Sequence, residues 1–309
     1  MQFHVLLAYN VNISYTVYMP KNFSYFANIQ LLRERYYKCI SGKESLIRII
    51  SETEVAEQVY NSNAIENSTL TLEETEKILL QIELDRFISE RELFEAKNLA
   101  RVVEYTDKTA KKNELDLEMI LTLHKMLISN IRDDIAGRFR REGEFVRVAN
   151  HIAPRPEVVV GLLKKTFTDN HASIGDNIAT RIARLHLQFE SIHPFIDGNG
   201  RIGRVINNYL LIREGFVPIN IKFIDRLSYY EAFKEYGLTK DVSIMEEIVA
   251  KAITNSYHKR LAYLEGKKII TLAEYAKEKN ISHSNLINKA QRQTIEAFLE
   301  KGIWKIGIN

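Results

Sequence analysis

One stretch of the chain concentrates side chains that do chemistry: SIHPFIDGNGRIGRVINNYLL, residues 191–211. It contains an imidazole, a carboxylate, an amide, a glycine-rich turn and two guanidinium groups, and it lies between two apolar helical patterns. An ordinary turn between helices needs few of these residues. The composition of the stretch therefore indicates a site that handles a charged substrate. The alternative is a polar turn whose charged residues are only solvated.

The glycines and arginines of this stretch are typical of a phosphate-binding site. Gly198 and Gly200 allow amides to converge at the start of a helix, where amides lack intrahelical partners and the helix dipole is positive. Asn199 can add an amide donor. Arg201 and Arg204, three residues apart on one helical face, can each bind phosphate oxygens in bidentate fashion.

His193 and Asp197 add proton transfer and metal binding to this site. An imidazole with an unperturbed pKa of ~6.5, held at the end of a stiff helix, suits proton removal from a hydroxyl. A carboxylate beside phosphates would hold Mg²⁺, which prefers one or two carboxylates together with phosphate oxygens. Each residue of the loop thus meets one requirement of nucleotide transfer.

Two helices are predicted to position the loop. The first carries an apolar stripe that ends at His193-Pro194, because proline disfavours helical geometry in the residue before it. The second begins at about residues 200–201 and ends at Gly215. The first stripe consists of Ile178, Ile182, Leu185, Phe189 and Ile192.

The rest of the chain is predicted to be mostly α-helical. Ser51 with Glu54, and Thr71 with Glu74, form capping-box patterns that indicate helix starts. The stretch GRFRREGEFVRVANHIAPRPEVV, residues 137–159, breaks this trend. Its alternating polarity and two prolines predict a short β-hairpin or extended flap.

The composition changes near residues 264–268, and the remainder is predicted to be a winged helix-turn-helix segment. Thr271 caps a first helix, a turn follows at Asn280, and Ser282 or Ser284 caps a second helix. A strand pair, 296–299 and 304–308, completes the layout. From residue 266 on, eight Lys/Arg stand against four Glu. This balance leaves two hypotheses open: DNA contact, and a helical appendage that binds protein.

The bulk composition is that of a folded protein of 309 residues with a net charge of +3. This charge alone does not indicate a nucleic-acid partner. The single cysteine, Cys39, rules out an intrachain disulfide and fits a reducing compartment, so a cytoplasmic location is expected. No apolar run of ~18 residues predicts a membrane helix. Residues 1–18 are a poor signal peptide, and Met19 is an alternative start.

The motif HPFIDGNGRIGR resembles the signature of the Fic/Doc family, HPFx(D/E)GNGRxxR, at every fixed position. This resemblance implies a mostly helical Fic-type bundle with a short β-hairpin flap, and transfer of AMP from MgATP to a Ser, Thr or Tyr hydroxyl of a target protein. It implies that His193 is the general base and Asp197 the Mg²⁺ ligand. The nucleotide would be held by Gly198, Asn199, Gly200, Arg201 and Arg204, and the target by the flap residues Glu144, Phe145, Val146, Arg147 and Val148.

A second motif, SNAIEN, resembles the inhibitory pattern (S/T)xxxE(G/N) of this family, with Ser62, Glu66 and Asn67 at its fixed positions. The resemblance implies that Glu66 pairs with Arg204 and so keeps that arginine from the γ-phosphate. The same glutamate assists AMP removal in some members. Self-association is a further family-level possibility. A different hypothesis is a DNA-binding regulator with a nucleotide-sensing Fic core.

Three parts of the chain are predicted from these observations: an N-terminal extension, residues 1–40; a Fic domain, residues 41–265, that includes an inhibitory helix at 51–67; and the helix-turn-helix-like residues 266–309.

Overall fold

The computed structural model describes residues 21–148 and 151–309, so the predicted start near Met19 and the flap residue Ala149 lie outside the described residues. The prediction of a mostly helical fold with small antiparallel sheets is confirmed. The described helices are α1 Lys21–Cys39, α2 Glu44–Ile65, α3 Leu72–Leu79, α4 Glu90–Thr109, α5 Leu117–Ile128, α6 Pro156–Ala172, α7 Ile178–Ile192, α8 Asn199–Arg213, α9 Arg226–Thr239, α10 Ser243–Leu264, α11 Leu272–Lys279 and α12 His283–Gln291. The described strands are β1 Arg147–Val148, β2 His151–Ile152, β3 Lys268–Thr271, β4 Ala297–Glu300 and β5 Ile303–Ile308.

Helices α7 and α8 flank the loop as the sequence predicts. Helix α7 ends at Ile192, and His193 follows in the left-handed conformation with φ of 49°. Helix α8 begins at Asn199, slightly earlier than predicted, because Gly198 adopts a φ of 83° and turns the chain into the helix. Gly215 has a φ of 77° just beyond the end of α8 and stops the helix.

Two apolar clusters fix these helices. One includes side chains of α4, α5 and α8 and holds the loop residue Phe195, which is fully buried. The other includes side chains of α1, α7 and α10, with Tyr257 fully buried at its centre. Because α7 and α8 contribute to both clusters, the loop between them is anchored from two sides.

The helix predicted at residues 51–67 is present as α2, but its predicted start at Ser51 is wrong. It begins at Glu44 and ends at Ile65, so Ser51 lies inside the helix and does not cap it. The side chain of Glu54, predicted to complete a cap, is instead buried and ion-paired with Lys259 at 3.1 Å and Arg260 at 2.5 Å. Long-range pairing with α10 therefore outweighs the local cap.

Two other predicted helix starts are confirmed by their hydrogen bonds. Thr71 accepts from the amide of Glu74, and Glu74 accepts from the amide of Thr71. Thr271 caps α11 in the same reciprocal way. These caps depend on residues three positions apart, which is why the sequence alone predicts them.

The flap is shorter than predicted. Its described strands pair antiparallel, with Arg147 opposite Ile152 and Val148 opposite His151. Glu144, Phe145 and Val146 precede the strand. The carboxylate of Glu144 is bound to Arg138 at 2.8 Å, so this residue fixes the base of the flap and is not part of its paired strand.

The last 42 residues form a three-stranded antiparallel sheet, in the order β3-β5-β4, with α11 and α12 packed on it. Strands β4 and β5 lie near the predicted pair, whereas β3 was not predicted. Strand β4 also contacts α10, because Asn255 accepts a hydrogen bond from the amide of Leu299 at 2.6 Å. Among the described residues, no helix combines the length and apolar character needed to cross a membrane.

We expect Glu54→Gln to lower the free energy of unfolding by about 3 kcal/mol, because it leaves buried Arg260 without its carboxylate and Lys259 with Glu300 alone. Urea denaturation measures the change. Glu52→Gln on the same helix is the matched control: its side chain is 68% exposed, and it should change stability by less than about 0.5 kcal/mol. Equal losses in the two variants would contradict the buried network.

Candidate active site

The loop between α7 and α8 is closed by Asn199. Its Oδ1 accepts from the amide of Phe195 at 2.9 Å, and its Nδ2 donates to the carbonyl of Phe195 at 2.9 Å. The side chain is 3% exposed. In this structure the carboxamide of Asn199 is engaged in holding the loop in one conformation, and its predicted role in binding the nucleotide stays a prediction.

His193 is placed to accept a proton. Burial lowers the pKa of its imidazole to about 4, and the main chain of Glu190 holds the ring with a weaker, opposing effect on that pKa. The ring is therefore neutral at pH 7, which is the form that a general base requires. Its side chain retains 15% exposure, so it still reaches the surface of the site.

Arg140 fixes the main chain on both sides of His193, and sequence reasoning missed it. It is 4% exposed. Its guanidinium donates to the carbonyls of His193 at 2.8 Å, Glu144 at 3.0 Å and Pro154 at 2.8 Å. The loop and the base of the flap thus share one buried cation. Neither its spacing nor its neighbours in the sequence indicate these partners, because all of them except Glu144 are distant along the chain.

Asp197 is surrounded by cations. Its carboxylate contacts Arg91 at 2.7 Å and Arg201 at 3.1 Å. Burial opposes ionisation of this carboxyl, but the charges of Arg201 and Arg91 outweigh it, and the pKa is lowered. Arg201 itself is 3% exposed and also pairs with Glu95 at 3.1 Å. The guanidinium of Arg201 thus bridges two carboxylates, and its predicted role in binding the nucleotide stays a prediction.

The donor set at Asp197 fits a single carboxylate ligand for Mg²⁺. Its side chain is 25% exposed, and Mg²⁺ needs only one or two protein carboxylates when substrate phosphates complete its coordination. Within residues 21–148 and 151–309, no group of three or more His, Cys, Asp or Glu side chains forms a protein-only metal cage.

Arg204 faces away from Arg201 and contacts helix α2. Its Nε donates to Ser62 Oγ at 2.9 Å, and its Nη2 donates to the carbonyl of Ser62 at 2.8 Å and to Glu66 Oε1 at 3.0 Å. Its Nη1 donates to the hydroxyl of Tyr229 at 2.9 Å. Each of its nitrogens therefore donates to a partner within the protein. No pair of its N–H groups is available to bind an anion unless one of these partners leaves.

Gly200 is needed for the approach of Glu66. A Cβ at this position would lie 2.1 Å from Glu66 Oε1, a distance that two such atoms never adopt. Gly200 was predicted to help bind phosphate through its amide. The space above its Cα is occupied by the carboxylate of Glu66, which therefore covers the start of α8.

The end of α2 is held by helix α9. Arg226 donates to the carbonyl of Ile65 at 3.0 Å and to Asn67 Oδ1 at 2.5 Å, and the hydroxyl of Tyr230 donates to the same carbonyl at 3.0 Å. Asn67 lies beyond the helix with φ of 69°, a conformation that asparagine tolerates. These contacts place Glu66 at the turn where the chain leaves α2.

A cleft with a volume of about 1080 Å³ lies between α2, α4 and α8. It reaches Ser62 and Arg204 but neither His193 nor Asp197. The candidate active site is therefore defined by the chemistry of the loop and not by the size of this cleft.

Comparison with known proteins agrees with this fold and loop. Residues 114–211 match the Fic/DOC family. The protein adenylyltransferase Fic of Nematostella vectensis is 31% identical over 207 residues, which are 64% of this chain and 47% of the relative. Its namesake in Drosophila grimshawi is 30% identical over 237 residues, which are 70% of this chain and 48% of the relative. The chain thus spans about half the length of these relatives.

A solved structure supports the fold. A Fic-domain-containing signaling protein from Bacteroides thetaiotaomicron superposes with a TM-score of 0.69 at 22% identity, covering 78% of this chain and 98% of the other. The helical fold and the loop define a Fic-type protein. The chain belongs to the Fic/DOC family, as the motif HPFIDGNGRIGR predicted.

We expect Arg140→Lys to lower the free energy of unfolding by about 2 kcal/mol. A lysine ammonium cannot donate hydrogen bonds to all three carbonyls at the positions that the planar guanidinium reaches. Arg138→Lys, two residues away, is the control; its guanidinium contacts Glu144 at a more exposed position and its loss should cost less than about 1 kcal/mol. Urea denaturation of both variants measures the difference. A smaller loss for Arg140→Lys than for Arg138→Lys would refute this role of Arg140.

Proposed function

We propose that this protein is a protein adenylyltransferase that transfers AMP from MgATP to a hydroxyl of a target protein. The observation that carries the proposal is a neutral imidazole, His193, fixed at the start of a loop that continues into the amino end of α8. The oxygen of the target hydroxyl attacks the α-phosphorus, the bond to the β-phosphate breaks, and pyrophosphate leaves. The hydroxyl proton moves to His193.

The phosphates are bound at the start of α8 in this proposal. The first amides of α8 lack intrahelical partners and carry the positive end of the helix dipole. Arg204 adds its guanidinium once Glu66 has left it. Asp197 would hold Mg²⁺, which neutralises phosphate charge and orients the leaving group. Arg201 keeps Asp197 in place, and Asn199 keeps the loop closed around the same point.

The target is held by the flap in this proposal. Strand β1 pairs with β2 on one edge, and such short exposed strands accept a further strand through backbone hydrogen bonds. Phe145 is 67% exposed and Ile152 is 72% exposed, so apolar side chains are available beside that edge. Backbone pairing is nearly independent of sequence, so this contact aligns a target segment without selecting it.

Glu66 restrains the reaction in this proposal. While it pairs with Arg204 and covers Gly200, the γ-phosphate lacks its arginine and the helix start is obstructed. The carboxylate is 35% exposed, which makes its release less costly than that of a fully buried ion pair. The same carboxylate, facing the site, is also placed to assist a water that removes AMP from a modified target.

We expect Glu66→Gly to increase AMP transfer by at least about tenfold, since a coupling of this kind is typically 1–3 kcal/mol. Wild type, Glu66→Gly and Glu66→Gly/His193→Ala are incubated with ATP labelled on the α-phosphate, with and without cell lysate. Label should appear on protein in the single variant and disappear in the double variant. If no protein is labelled while ATP binding is intact, the proposed activity is wrong.

A second candidate function is nucleic-acid binding through residues 266–309. The exposed face of α12 presents Ser284, Asn285, Asn288, Lys289 and Arg292. Within the described residues, the cations of Lys289 and Arg292 have no carboxylate within 4.0 Å. Lys301 and Lys305, by contrast, pair with Glu76 and Glu300.

We expect Lys289→Ala/Arg292→Ala to weaken duplex DNA binding and to reduce its salt dependence by about two counterions. Fluorescence anisotropy of a labelled duplex across a salt series gives both quantities. Lys305→Ala is the matched control, because its ammonium is bound to Glu300 at 2.7 Å and should leave binding unchanged. Absence of binding by wild type at low salt would exclude this second function.

A further inference from the structure

A buried carboxyl lies beside the imidazole of His193 and has no role in the function proposed above. Glu190 precedes His193 by one turn, and its Oε2 lies 3.9 Å from His193 Nδ1. Its side chain is 12% exposed. Its Oε1 is buried and has no hydrogen-bond partner among the described residues. An unpartnered buried carboxyl oxygen is costly, so its position next to the base requires an explanation.

The packing of α7 on α8 makes room for this carboxyl. A Cβ at Gly203 would lie 2.9 Å from Glu190 Oε1, so only glycine lets α8 approach so closely. The same point lies 3.1 Å from His186 Nδ1, which is also buried without a partner. The carboxyl therefore lies between the imidazole of His193 on one side and the backbone of α8 on the other.

The charges around Glu190 set its protonation. Burial raises its pKa most, the charge of Glu66 also raises it, the charge of Arg204 opposes both, and the resulting pKa is about 8. At pH 7 the carboxyl is mostly neutral, but it ionises within one or two pH units. The titratable and charged groups of the surrounding elements are Glu66 on α2, His186 and His193 on or after α7, Arg204 on α8, Tyr229 on α9, and Arg140 and His151 at the flap.

We infer that Glu190 is a positioning residue that acts on the reaction through His193: its carboxyl lies 3.9 Å from Nδ1 of that ring and, when ionised, stabilises by its charge the imidazolium that forms there. This inference rests on the proposed role of His193 as base. When the hydroxyl proton arrives at Nε2, the positive charge of the ring is shared with Nδ1–H, and ionised Glu190 is the nearest carboxylate to that atom. Neutral Glu190 offers no such charge.

The carboxyl of Glu190 adds a second ionisation on which the reaction rate depends, besides that of His193. Above its pKa the carboxylate favours the imidazolium, so transfer is faster when Glu190 is ionised. Removal of Glu66 eliminates one charge that raises the pKa of Glu190, so in Glu66→Gly the ionisation moves to a pH below 8. The inhibitory contact and the strength of the base are therefore linked through this carboxyl.

The first measurement does not depend on activity. The ¹³Cε1–¹Hε1 resonance of His193, assigned by its loss in His193→Ala, is followed by NMR from pH 5 to pH 9.5 in Glu66→Gly and Glu66→Gly/Glu190→Gln. We expect an inflection between about pH 7 and 8 in the first protein and none in the second. Glu66→Gly/Glu190→Asp, which keeps an ionisable carboxyl, should restore an inflection. A His193 resonance that does not respond in this range, or that responds equally after Glu190→Gln, overturns the inference.

The second measurement is the pH profile of AMP transfer in the same three proteins. We expect Glu66→Gly to become about tenfold faster between pH 6.5 and pH 9. Glu66→Gly/Glu190→Gln should remain at its pH 6.5 rate, with the KM for ATP unchanged within about twofold, and Glu190→Asp should recover part of the rise. A purely structural role would lower the rate at every pH without altering the profile, and that result would contradict the inference.

The two measurements separate this inference from the proposed function. An NMR inflection that depends on Glu190, together with no AMP transfer in any variant, would contradict the adenylyltransferase proposal and leave the coupling of Glu190 to His193 intact. Transfer that occurs with identical pH profiles in the presence and absence of Glu190 would support the function and overturn the positioning role.

Discussion

The buried guanidinium of Arg204 is the interaction on which the rest of the site depends. It joins α8 to α2 through Ser62 and Glu66, and to α9 through the hydroxyl of Tyr229. Burial alone would lower the pKa of this arginine, but Tyr229 and Glu66 outweigh that effect, and the pKa is raised. Because an unpaired buried charge is strongly destabilising, the guanidinium can release Glu66 only if another anion takes the place of that carboxylate. An entering triphosphate is a partner of the required charge, so substrate and helix α2 compete for the same cation.

A rigid main chain around the loop allows that competition to control chemistry. Asn199 closes the loop on Phe195, and Arg140 donates to the carbonyls of Ile192 and His193. Phe195 stacks on the ring of His124, with 3.7 Å between ring centroids, and so anchors the loop in the apolar cluster. None of these contacts involves Glu66, so the main chain around the base is held independently of it.

Local signals in the sequence account for what was predicted correctly. The apolar stripe of α7, the stop at Pro194, and the caps at Thr71 and Thr271 depend on neighbours within one or two turns. Long-range contacts account for what was not predicted. Arg140 donates to the carbonyls of His193 and Pro154, and Arg201 pairs with Glu95 on α4 as well as with Asp197. Helix α2 begins before Ser51 and continues through it. The carboxylate of Glu54 does not cap a helix at Ser51 but binds Arg260 on α10, which lies about two hundred residues away along the chain.

Helix α2 is attached at several points along its length, and this has a kinetic consequence. Glu54 is ion-paired with α10, and Glu57 binds Lys222 at 2.6 Å and the amide of Lys301 at 2.9 Å. Asn61 accepts from the amide of Phe223 at 2.8 Å. At the end of the helix, Arg226 and Tyr230 hold the carbonyl of Ile65, and Arg226 also binds Asn67. The backbone on both sides of Glu66 is therefore fixed, whereas its side chain remains 35% exposed. The carboxylate can leave Arg204 by rotation of this side chain while α2 stays in place, and rotamer changes of exposed side chains are among the fastest motions of a protein.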